Sequence, residues 1–519
     1  MNFILGVLAI ALGAAGYGAQ VLRWLRVAQR EHYLPDVAIA FRFRWTRSQP
    51  INVAAEVASV VLVVAAYVLH RHHVALSFIA IMGVGILGLV EPRGLSIKGR
   101  TSKLALTTRM KRLCAVTLGC SLILIVIFGL MVSIPVALGV AIVSSAGAVD
   151  FALRILEPLE RKSMQRFVDQ AATTLKQVSP VVVAITGSYG KTSTKLHLTQ
   201  LIAGARTVVA TPASFNNRGG LARSINEHLS HGTEVFIAEM GTYGPGEIAD
   251  LCAWIPPELA ILTAIGPVHL ERFGSLDVTL KAKAEITVSA NTVVVNIDDP
   301  YLASLVPGLV GQGKTVIRCS VKDRDAEVAL EIGSTGVAEV FHGGVAVGSL
   351  GVLAAGVQPI NVALAFGAGQ ALGIDGQQLV QRAPLLGAAA NRSTLATAES
   401  GVMVIDDTFN SNPTGATAAL ATLRGLEANQ RFVVTPGMIE LGSLQQEANM
   451  EFARQAGEVS DFVVIVGRTN RKALLKGLEG TSCLVTCVDT RQDAVAFVRT
   501  RASARDAVLY ENDLPDHYP

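Results

Sequence analysis

The apolar residues of this 519-residue chain are concentrated in five long stretches that all lie before residue 155. They span residues 2–22, 51–69, 74–90, 113–132 and 134–153. Each has at least the roughly 17 residues that a helix needs to cross the hydrocarbon core of a bilayer. We therefore expect residues 1–155 to form an α-helical membrane domain with about five transmembrane helices, and the lipid bilayer to be a partner.

Basic residues separate these stretches in an alternating way. Residues 1–166 contain 18 Lys and Arg residues and only 7 Asp and Glu residues, whereas the whole chain is nearly balanced, with 44 Lys and Arg and 41 Asp and Glu. Segments 23–50 and 91–112 hold six and seven of these cations, and loop 70–73 holds one. Because cytoplasmic loops collect Lys and Arg, we expect an inner-membrane, multi-pass protein with its N-terminus outside and its later domains in the cytoplasm. Cations placed between apolar runs do not line one folded face, so we expect no nucleic-acid partner.

The rest of the chain has the pattern of a soluble α/β protein. An amphipathic juxtamembrane linker is expected at 156–179. Strand-like apolar runs occur at 402–405, 432–435 and 462–466, with helical patterns between them, which predicts a doubly wound, Rossmann-like sheet. The six cysteines are scattered and match neither a disulfide framework nor a zinc site.

A phosphate-binding loop is indicated directly after the linker. Residues 181–185 form a β-branched run, and Thr-Gly-Ser-Tyr-Gly-Lys-Thr-Ser follows at 186–193, before a helical pattern. In such a loop, backbone N–H groups close on phosphates at a helix N-terminus, a lysine adds charge, and a hydroxyl binds Mg²⁺. The strict P-loop pattern fails because Ile185 replaces its first glycine. The expected ATP contacts are Gly187, Ser188, Gly190, Lys191, Thr192 and Ser193.

Segment 185–194 resembles the shortened ATP loop of the Mur ligase family, which adds amino acids to bacterial cell-wall precursors. Further motifs of that family follow in the same order, at 211–217, 238–241, 265–276, 281–286 and 406–413. The resemblance covers about residues 180–515 and is nearest to the MurF branch, which adds D-alanyl-D-alanine. It implies a P-loop-type central ATP-binding domain at 180–390 and a C-terminal Rossmann-like domain at 391–519.

The resemblance also assigns roles to individual residues. It implies catalysis by Lys191, Glu239, His269 and Lys283, with two Mg²⁺ ions. Thr192 and Glu239 would hold the first ion, and His269 would help to hold the second. Lys283 falls where the family carries a lysine carbamylated by CO₂, which also binds metal. Nucleotide contacts fall at Arg392 and Asp407, and substrate contacts at Thr211, Asn216, Asn217, Asn410 and Asn412.

Simpler interpretations of three of these residues remain open. Glu239 ends the apolar run 235–238, which places it at the carboxyl end of a strand, where open α/β sheets bind ligands. A surface carboxylate is the alternative. His269 could be a structural histidine, and Lys283 an unmodified surface lysine, with Lys281 as its neighbouring competitor.

Three departures from the MurF pattern bear on substrate choice or on the adenine contacts. The uridine-nucleotide-binding domain is missing, and the apolar helices stand in its place, which favours a lipid-linked acceptor. The His-Asn motif that contacts adenine is altered at 356–365, where Asn361 is one place off. The stretch at 510–518 is acidic where MurF has Lys-Gly-Ser.

We therefore expect an ATP-dependent ligase that joins an amino acid or dipeptide to the carboxylate of a cell-envelope precursor through an acyl phosphate. One alternative is a ligase of the same superfamily that makes poly-amino-acid chains or amidates a lipid-linked peptide. An alternative of another class is a membrane transporter or scaffold whose ligase-like part only binds nucleotide. The sequence indicates nothing about the oligomeric state.

Overall fold

The computed structural model of the protein describes residues 2–99, 103–354, 356–387, 394–409 and 411–519. Contacts divide the chain into two compact units. Unit 1 comprises Met1–Ser163, Gly467–Thr469 and Leu514–Pro519, and unit 2 comprises Met164–Val466 and Asn470–Asp513. The predicted nucleotide contact Arg392 and the predicted substrate contact Asn410 lie outside the described residues.

Unit 1 is built from helices. They are α1 (Asn2–Arg30), α2 (Val37–Ser48), α3 (Pro50–Leu69), α4 (Val74–Val90), α5 (Thr108–Met131) and α6 (Ile134–Val178). By length and composition, α1, α3, α5 and α6 are suited to cross a membrane. The fifth predicted span, α4, is apolar but has only 17 residues, which places it below the length of the other four.

Glycines allow α1 and α4 to pack closely. A Cβ atom on Gly16 would lie 2.4 Å from the carbonyl oxygen of Gly85, so only the absence of a side chain permits this approach. Small residues bring apolar helices together in this way. The buried guanidinium of Arg23 then donates from Nη1 to the Gly88 carbonyl at 2.9 Å, near the end of α4.

Helix α6 differs from the prediction of a span followed by a separate linker helix. It continues for 45 residues through Pro158, and its last turns belong to unit 2. There Val168, Ala171 and Leu175 are buried in a core cluster of unit 2.

The first sheet of unit 2 has nine strands in the order β2-β3-β1-β4-β5-β6-β7-β8-β9. The strands are β1 (Val181–Thr186), β2 (Val208–Ala210), β3 (Val235–Glu239), β4 (Leu259–Leu262), β5 (Thr292–Asn296), β6 (Thr315–Ser320), β7 (Val328–Ile332), β8 (Val337–His342) and β9 (Val345–Val352). Neighbouring strands from β2 to β7 in this order are parallel, whereas the β7–β8 and β8–β9 pairs are antiparallel.

Among the residues that the structure describes, nine α-helices accompany this sheet. They are α7 (Lys191–Ile202), α8 (Arg218–His228), α9 (Glu247–Cys252), α10 (Leu270–Phe273), α11 (Leu276–Ala284), α12 (Pro300–Ala303), α13 (Val306–Gly311), α14 (Pro359–Ala371) and α15 (Gly376–Arg382). Alternate residues of β1 belong to two different apolar clusters: Val183 and Ile185 to one, Val182 and Ala184 to the other. Both faces of this strand are therefore buried, which explains its continuous apolar run.

The second sheet of unit 2 has the order β10-β11-β15-β12-β13-β14. Its strands are β10 (Thr394–Thr397), β11 (Met403–Asp407), β12 (Arg431–Thr435), β13 (Phe462–Val466), β14 (Leu484–Val488) and β15 (Ala507–Glu511). Its helices are α16 (Pro413–Gly425), α17 (Gln445–Val459), α18 (Arg471–Gly477) and α19 (Arg491–Arg501). All pairs except β10–β11 are parallel, so the predicted Rossmann-like sheet is present with one antiparallel edge strand.

Candidate functional site

A glycine turn joins β1 to α7 at the carboxyl edge of the first sheet. Gly187 has a φ of 155°, and a Cβ there would lie 1.9 Å from Oγ1 of Thr263, so no other residue fits. Gly190 has a φ of 78° and immediately precedes α7. Nζ of Lys191 reaches back to the Gly187 carbonyl at 2.7 Å. The predicted strand, turn and helix of a phosphate loop are therefore confirmed.

Glu239 lies beside this turn, as the sequence predicts. It ends β3 and pairs in register with Ile185 of β1. Thr192 donates from Oγ1 to Oε2 of Glu239 at 3.0 Å. Glu239 is 1% exposed, so the alternative of a surface carboxylate is wrong.

Lys195, which was not among the predicted site residues, also contacts this carboxylate. Its Nζ lies 2.9 Å from Oε2 of Glu239, and both side chains are buried. The same ammonium donates to the carbonyl of Ala213 at 2.5 Å. Lys195 stands one helical turn after Lys191, a spacing that places both on one face of α7. That spacing was the signal available in the sequence.

The charge state of Glu239 follows from these neighbours. Burial alone would raise the pKa of the carboxyl. The positive charges of Lys195 and Lys191, with hydrogen bonds from Lys195 and Asn216, outweigh burial and lower the pKa below its ordinary value. Glu239 is therefore an anion at neutral pH and presents acceptor oxygens beside the phosphate loop.

Two of the predicted substrate residues also meet Glu239. Asn216 donates from Nδ2 to Oε1 of Glu239 at 3.1 Å, and Oγ1 of Thr211 accepts from the Glu239 backbone N–H at 3.2 Å. Asn217 instead caps α8, where its Oδ1 accepts from the backbone N–H of Gly220 at 2.9 Å. The 211–217 segment thus contributes polar groups to the edge of the site.

Lys283 is buried on α11, with 4% of its surface exposed, so it is not the surface lysine of the simpler interpretation. Burial lowers the pKa of its amine well below the ordinary value, and the charge of Lys191 lowers it further. Its competitor Lys281 is exposed. Lys283 therefore lies within electrostatic reach of the phosphate loop.

His269 has partners that the sequence did not indicate. Its Nδ1 bonds to Oε2 of Glu440, and its ring meets that of Tyr243 edge-on at 4.8 Å. His269 and Glu440 both have left-handed backbones, with φ of 57° and 64°. Over the described residues, no group of three or more His, Cys, Asp or Glu is arranged to hold a metal. His269 and Glu239 thus do not meet in one such group.

Asn361, one place off the family pattern, packs against the phosphate loop. Its Oδ1 accepts from Oγ1 of Thr194 at 3.3 Å, and a Cβ on Gly190 would lie 2.4 Å from the same oxygen. On the other side, Oγ of Ser188 accepts from the Gly266 backbone N–H at 3.0 Å. Ser193 lies in the first turn of α7 and is half-buried.

The remaining predicted residues lie at the carboxyl edge of the second sheet. Asp407 ends β11, and its carbonyl accepts from the Asn512 backbone N–H at 3.0 Å. Asn412 caps α16 through a bond from the Gly415 backbone N–H to its Oδ1 at 2.9 Å. Glu511 ends β15, pairs in register with Asp407 and is fully buried.

Two family models match this half of the chain. The Mur ligase middle domain matches residues 185–354, and the Mur ligase glutamate ligase domain matches residues 391–510. The chain belongs to the Mur ligase family. The resemblance inferred from the phosphate loop and the later motifs is thereby confirmed, as is the expectation of a ligase that forms C–N bonds.

Curated relatives of this Mur ligase are MurF enzymes. The UDP-N-acetylmuramoyl-tripeptide–D-alanyl-D-alanine ligase of Mycobacterium leprae is 29% identical over 63% of this chain and 70% of its own length. The enzyme of the same name from Bacillus subtilis is 26% identical over 66% and 77%.

A solved structure has the same fold in its ligase part. The MurF ligase of Thermotoga maritima, determined in complex with ADP, is 26% identical, covers 68% of this chain and 80% of its own, and has a TM-score of 0.58. The residues matched by the two family models leave out the apolar helices of unit 1.

Proposed function

We propose that the protein uses ATP to form an amide bond between the carboxylate of a cell-envelope precursor and an amino acid or dipeptide. The observation that carries this proposal is the junction of Thr192, Glu239 and Asn216 beside the glycine turn. A buried carboxylate with a half-buried hydroxyl and amide at the carboxyl edge of a parallel sheet forms a site for a charged ligand.

ATP is the expected nucleotide. The turn presents backbone N–H groups at the start of α7, and Lys191 already lies over that turn. The ADP complex of the Thermotoga maritima relative supports the same assignment. Arg392 and Asp407 remain proposed nucleotide contacts.

The residues around Glu239 fit one Mg²⁺ ion. Hydroxyl and carboxylate oxygens are the ligands that Mg²⁺ takes, and Thr192 and Glu239 bring one of each together. The ammonium of Lys195 contacts the same carboxylate oxygen, so this position is already built to balance a positive charge. When bound, the ion would neutralise charge on the phosphates. His269 and Lys283 are proposed for a second ion.

The reaction itself needs little covalent chemistry from the protein. A carboxylate oxygen of the precursor attacks the γ-phosphorus, and the bond from that phosphorus to ADP breaks, which leaves an acyl phosphate. The amine then attacks the acyl carbon, phosphate departs, and the amine loses a proton. Lys191 and the loop amides hold the transferred group in line, and their positive charge opposes the charge that develops on it.

Lys283 is proposed to carry a carbamate. Only an uncharged amine adds to CO₂, and the buried surroundings of Lys283 disfavour its protonated form. The nitrogen forms a bond to the carbon of CO₂ and releases one proton, which leaves an anionic carbamate with two oxygens. Such a group would place a negative charge near the positive charge of Lys191.

The acceptor is proposed to be lipid-linked and presented at the inner face of the membrane. Four helices of unit 1 are long and apolar enough to span, and the uridine-nucleotide-binding domain of MurF has no counterpart in the matched regions. For the basic segments 23–50 and 91–112 to share the cytoplasmic side, α3 and α4 must both cross. At 17 residues, α4 measures about 25 Å, close to the bilayer core.

Phosphate release tests the proposal against a nucleotide-binding transporter or scaffold. The full chain in nanodiscs receives ATP, Mg²⁺, and either UDP-N-acetylmuramoyl-tripeptide or its lipid-linked form, and then single amino acids or D-alanyl-D-alanine. We expect phosphate release to require both acceptor and amine, and Lys191→Ala to abolish it. Phosphate release at the same rate with and without the amine would refute ligation. Comparing the release rates with the two acceptors tests whether the acceptor is lipid-linked.

A further inference from the structure

Unit 1 contains two short segments that belong, in sequence, to the C-terminal ligase domain. Gly467–Thr469 follows β13, and Leu514–Pro519 follows β15 by two residues. We call residues 514–519 the tail. It is part of the acidic stretch that departs from the MurF pattern, and the proposed ligase chemistry gives it no role.

Charged side chains at and just after the end of α1 bind the tail. Nη1 of Arg26 lies 2.7 Å from Oδ1 of Asp516, and the two side chains are 0% and 3% exposed. Glu31 directly follows α1, and its Oε1 lies 2.9 Å from Nε2 of His517, which is also buried. Burying a charge without a partner is costly, so Arg26 favours a segment that brings a carboxylate to it and disfavours one that does not.

Aromatic residues of α2 hold the other side of the tail. Trp45 donates from Nε1 to the His517 carbonyl at 2.8 Å. The ring of Phe41 meets the ring of Tyr518 edge-on at 4.9 Å, and the Arg44 guanidinium lies 5.0 Å from the centre of the Tyr518 ring. These contacts bury apolar surface of the tail and also fix its orientation.

The second segment closes over the tail. The carbonyl of Pro519 accepts hydrogen bonds from the backbone N–H groups of Arg468 at 3.1 Å and Thr469 at 3.0 Å. It also accepts one from Oγ1 of Thr469 at 2.7 Å. The tail is therefore bound by backbone, charged and aromatic groups at once.

We propose that α1 and α2 form a receptor groove for the tail. The tail then gives the C-terminal ligase domain a second attachment to unit 1, besides α6. The chain is continuous from Asp513 to Leu514 and from Val466 to Gly467, so a bound tail restrains that domain. The acidic sequence at 510–518 is then explained by docking rather than by substrate choice. This inference does not depend on the ligase reaction.

Photo-cross-linking tests the contact in the otherwise native chain. The full protein in nanodiscs carries p-benzoylphenylalanine in place of Tyr518, and is irradiated, digested and examined by mass spectrometry. We expect cross-links within one chain to peptides that contain Phe41 or Trp45. Cross-links confined to unit 2 would overturn the proposal. Cross-links that join two chains would assign the tail to a neighbouring copy and would also overturn it.

A double-mutant cycle tests the buried charges. Arg26→Ala and Asp516→Ala are each expected to lower the melting temperature in detergent, and the double variant is expected to lose little more than either. The control pair is Arg491 and Asp513, which are 2.6 Å apart but 44% and 29% exposed, and lie in unit 2. Its single variants should have small, additive effects. Additive losses at Arg26 and Asp516 would contradict docking.

Discussion

Nζ of Lys195 lies 2.9 Å from Oε2 of Glu239, and both side chains are buried beside the phosphate loop. The pair fixes an anionic carboxylate where the proposed Mg²⁺ ion would bind, and it connects that carboxylate to the 211–213 segment through Ala213. One side chain of α7 thus links the proposed metal-binding edge with the proposed substrate-binding segment.

Replacing Lys195 with Met should damage both stability and binding. The variant keeps the aliphatic stem but leaves Glu239 buried without its cation, a change that typically costs about 3–5 kcal/mol. We expect a matching loss in the free energy of unfolding and weaker binding of Mg²⁺–ATP by calorimetry. Lys281→Met, at an exposed position of α11, is the control and should stay within about 0.5 kcal/mol of wild type. A Lys195→Met protein with wild-type stability would show that the pair contributes nothing.

Lys283 should bind CO₂ reversibly. With ¹³C-bicarbonate, we expect a carbamate resonance in wild type that is absent from Lys283→Ala and retained in Lys281→Ala. The reason is that Lys283 is buried, with a lowered pKa, whereas Lys281 is exposed. An identical spectrum from wild type and Lys283→Ala would disprove carbamylation at this residue.

Glu440 should be required for full catalytic activity, although it lies 171 residues from His269 in the sequence. If His269 binds the second metal, the carboxylate on its Nδ1 orients the ring, and loss of such a partner typically lowers activity or metal affinity about 10–100-fold. We expect Glu440→Gln to show that loss in kcat/KM with an unchanged melting temperature. Glu451→Gln, which disrupts exposed contacts with Arg454 and Gln455, is the control. Equal activity of the two variants would remove Glu440 from the site.

Glu511 should make stability fall as pH rises. Burial raises its pKa from 4.5 to about 8, and the charge of Asp407 adds to this, against a hydrogen bond from Thr435. Because the folded-state pKa is the higher one, this stabilising contribution is complete below pH 4.5 and is lost as pH rises towards 8. We expect the melting temperature to fall between pH 5.5 and about 8, and Glu511→Gln to remove most of that slope. A variant with the wild-type slope would show that Glu511 does not titrate there.

The local parts of this fold were predictable from sequence. An apolar, β-branched run before two glycines predicts β1 and its turn, and the run that ends at Glu239 predicts a parallel neighbour, because carboxyl ends of such strands meet at one edge. Burial of Glu239 then follows. The composition of the first 155 residues likewise predicts unit 1, although it does not distinguish α4 from the longer helices.

Contacts between distant residues were not predictable in the same way. The spacing of Lys195 from Lys191 places both lysines on one face of α7, but it does not identify their partner, because only the packed sheet brings Glu239 to Lys195. Glu440 meets His269 because two loops far apart in sequence fold against each other. The tail has no periodicity at all, and its role depends on Arg26 and Glu31, nearly 500 residues earlier.

Isotope transfer from the acceptor to phosphate tests the central claim most directly. The acceptor carries ¹⁸O in its carboxylate, and the phosphate released during amide formation is examined by ³¹P NMR. An acyl phosphate formed at the loop that holds Lys191, Thr192 and Glu239 predicts one ¹⁸O atom in each phosphate. Phosphate without ¹⁸O, at the same rate of turnover, would mean that ATP hydrolysis does not activate the carboxylate.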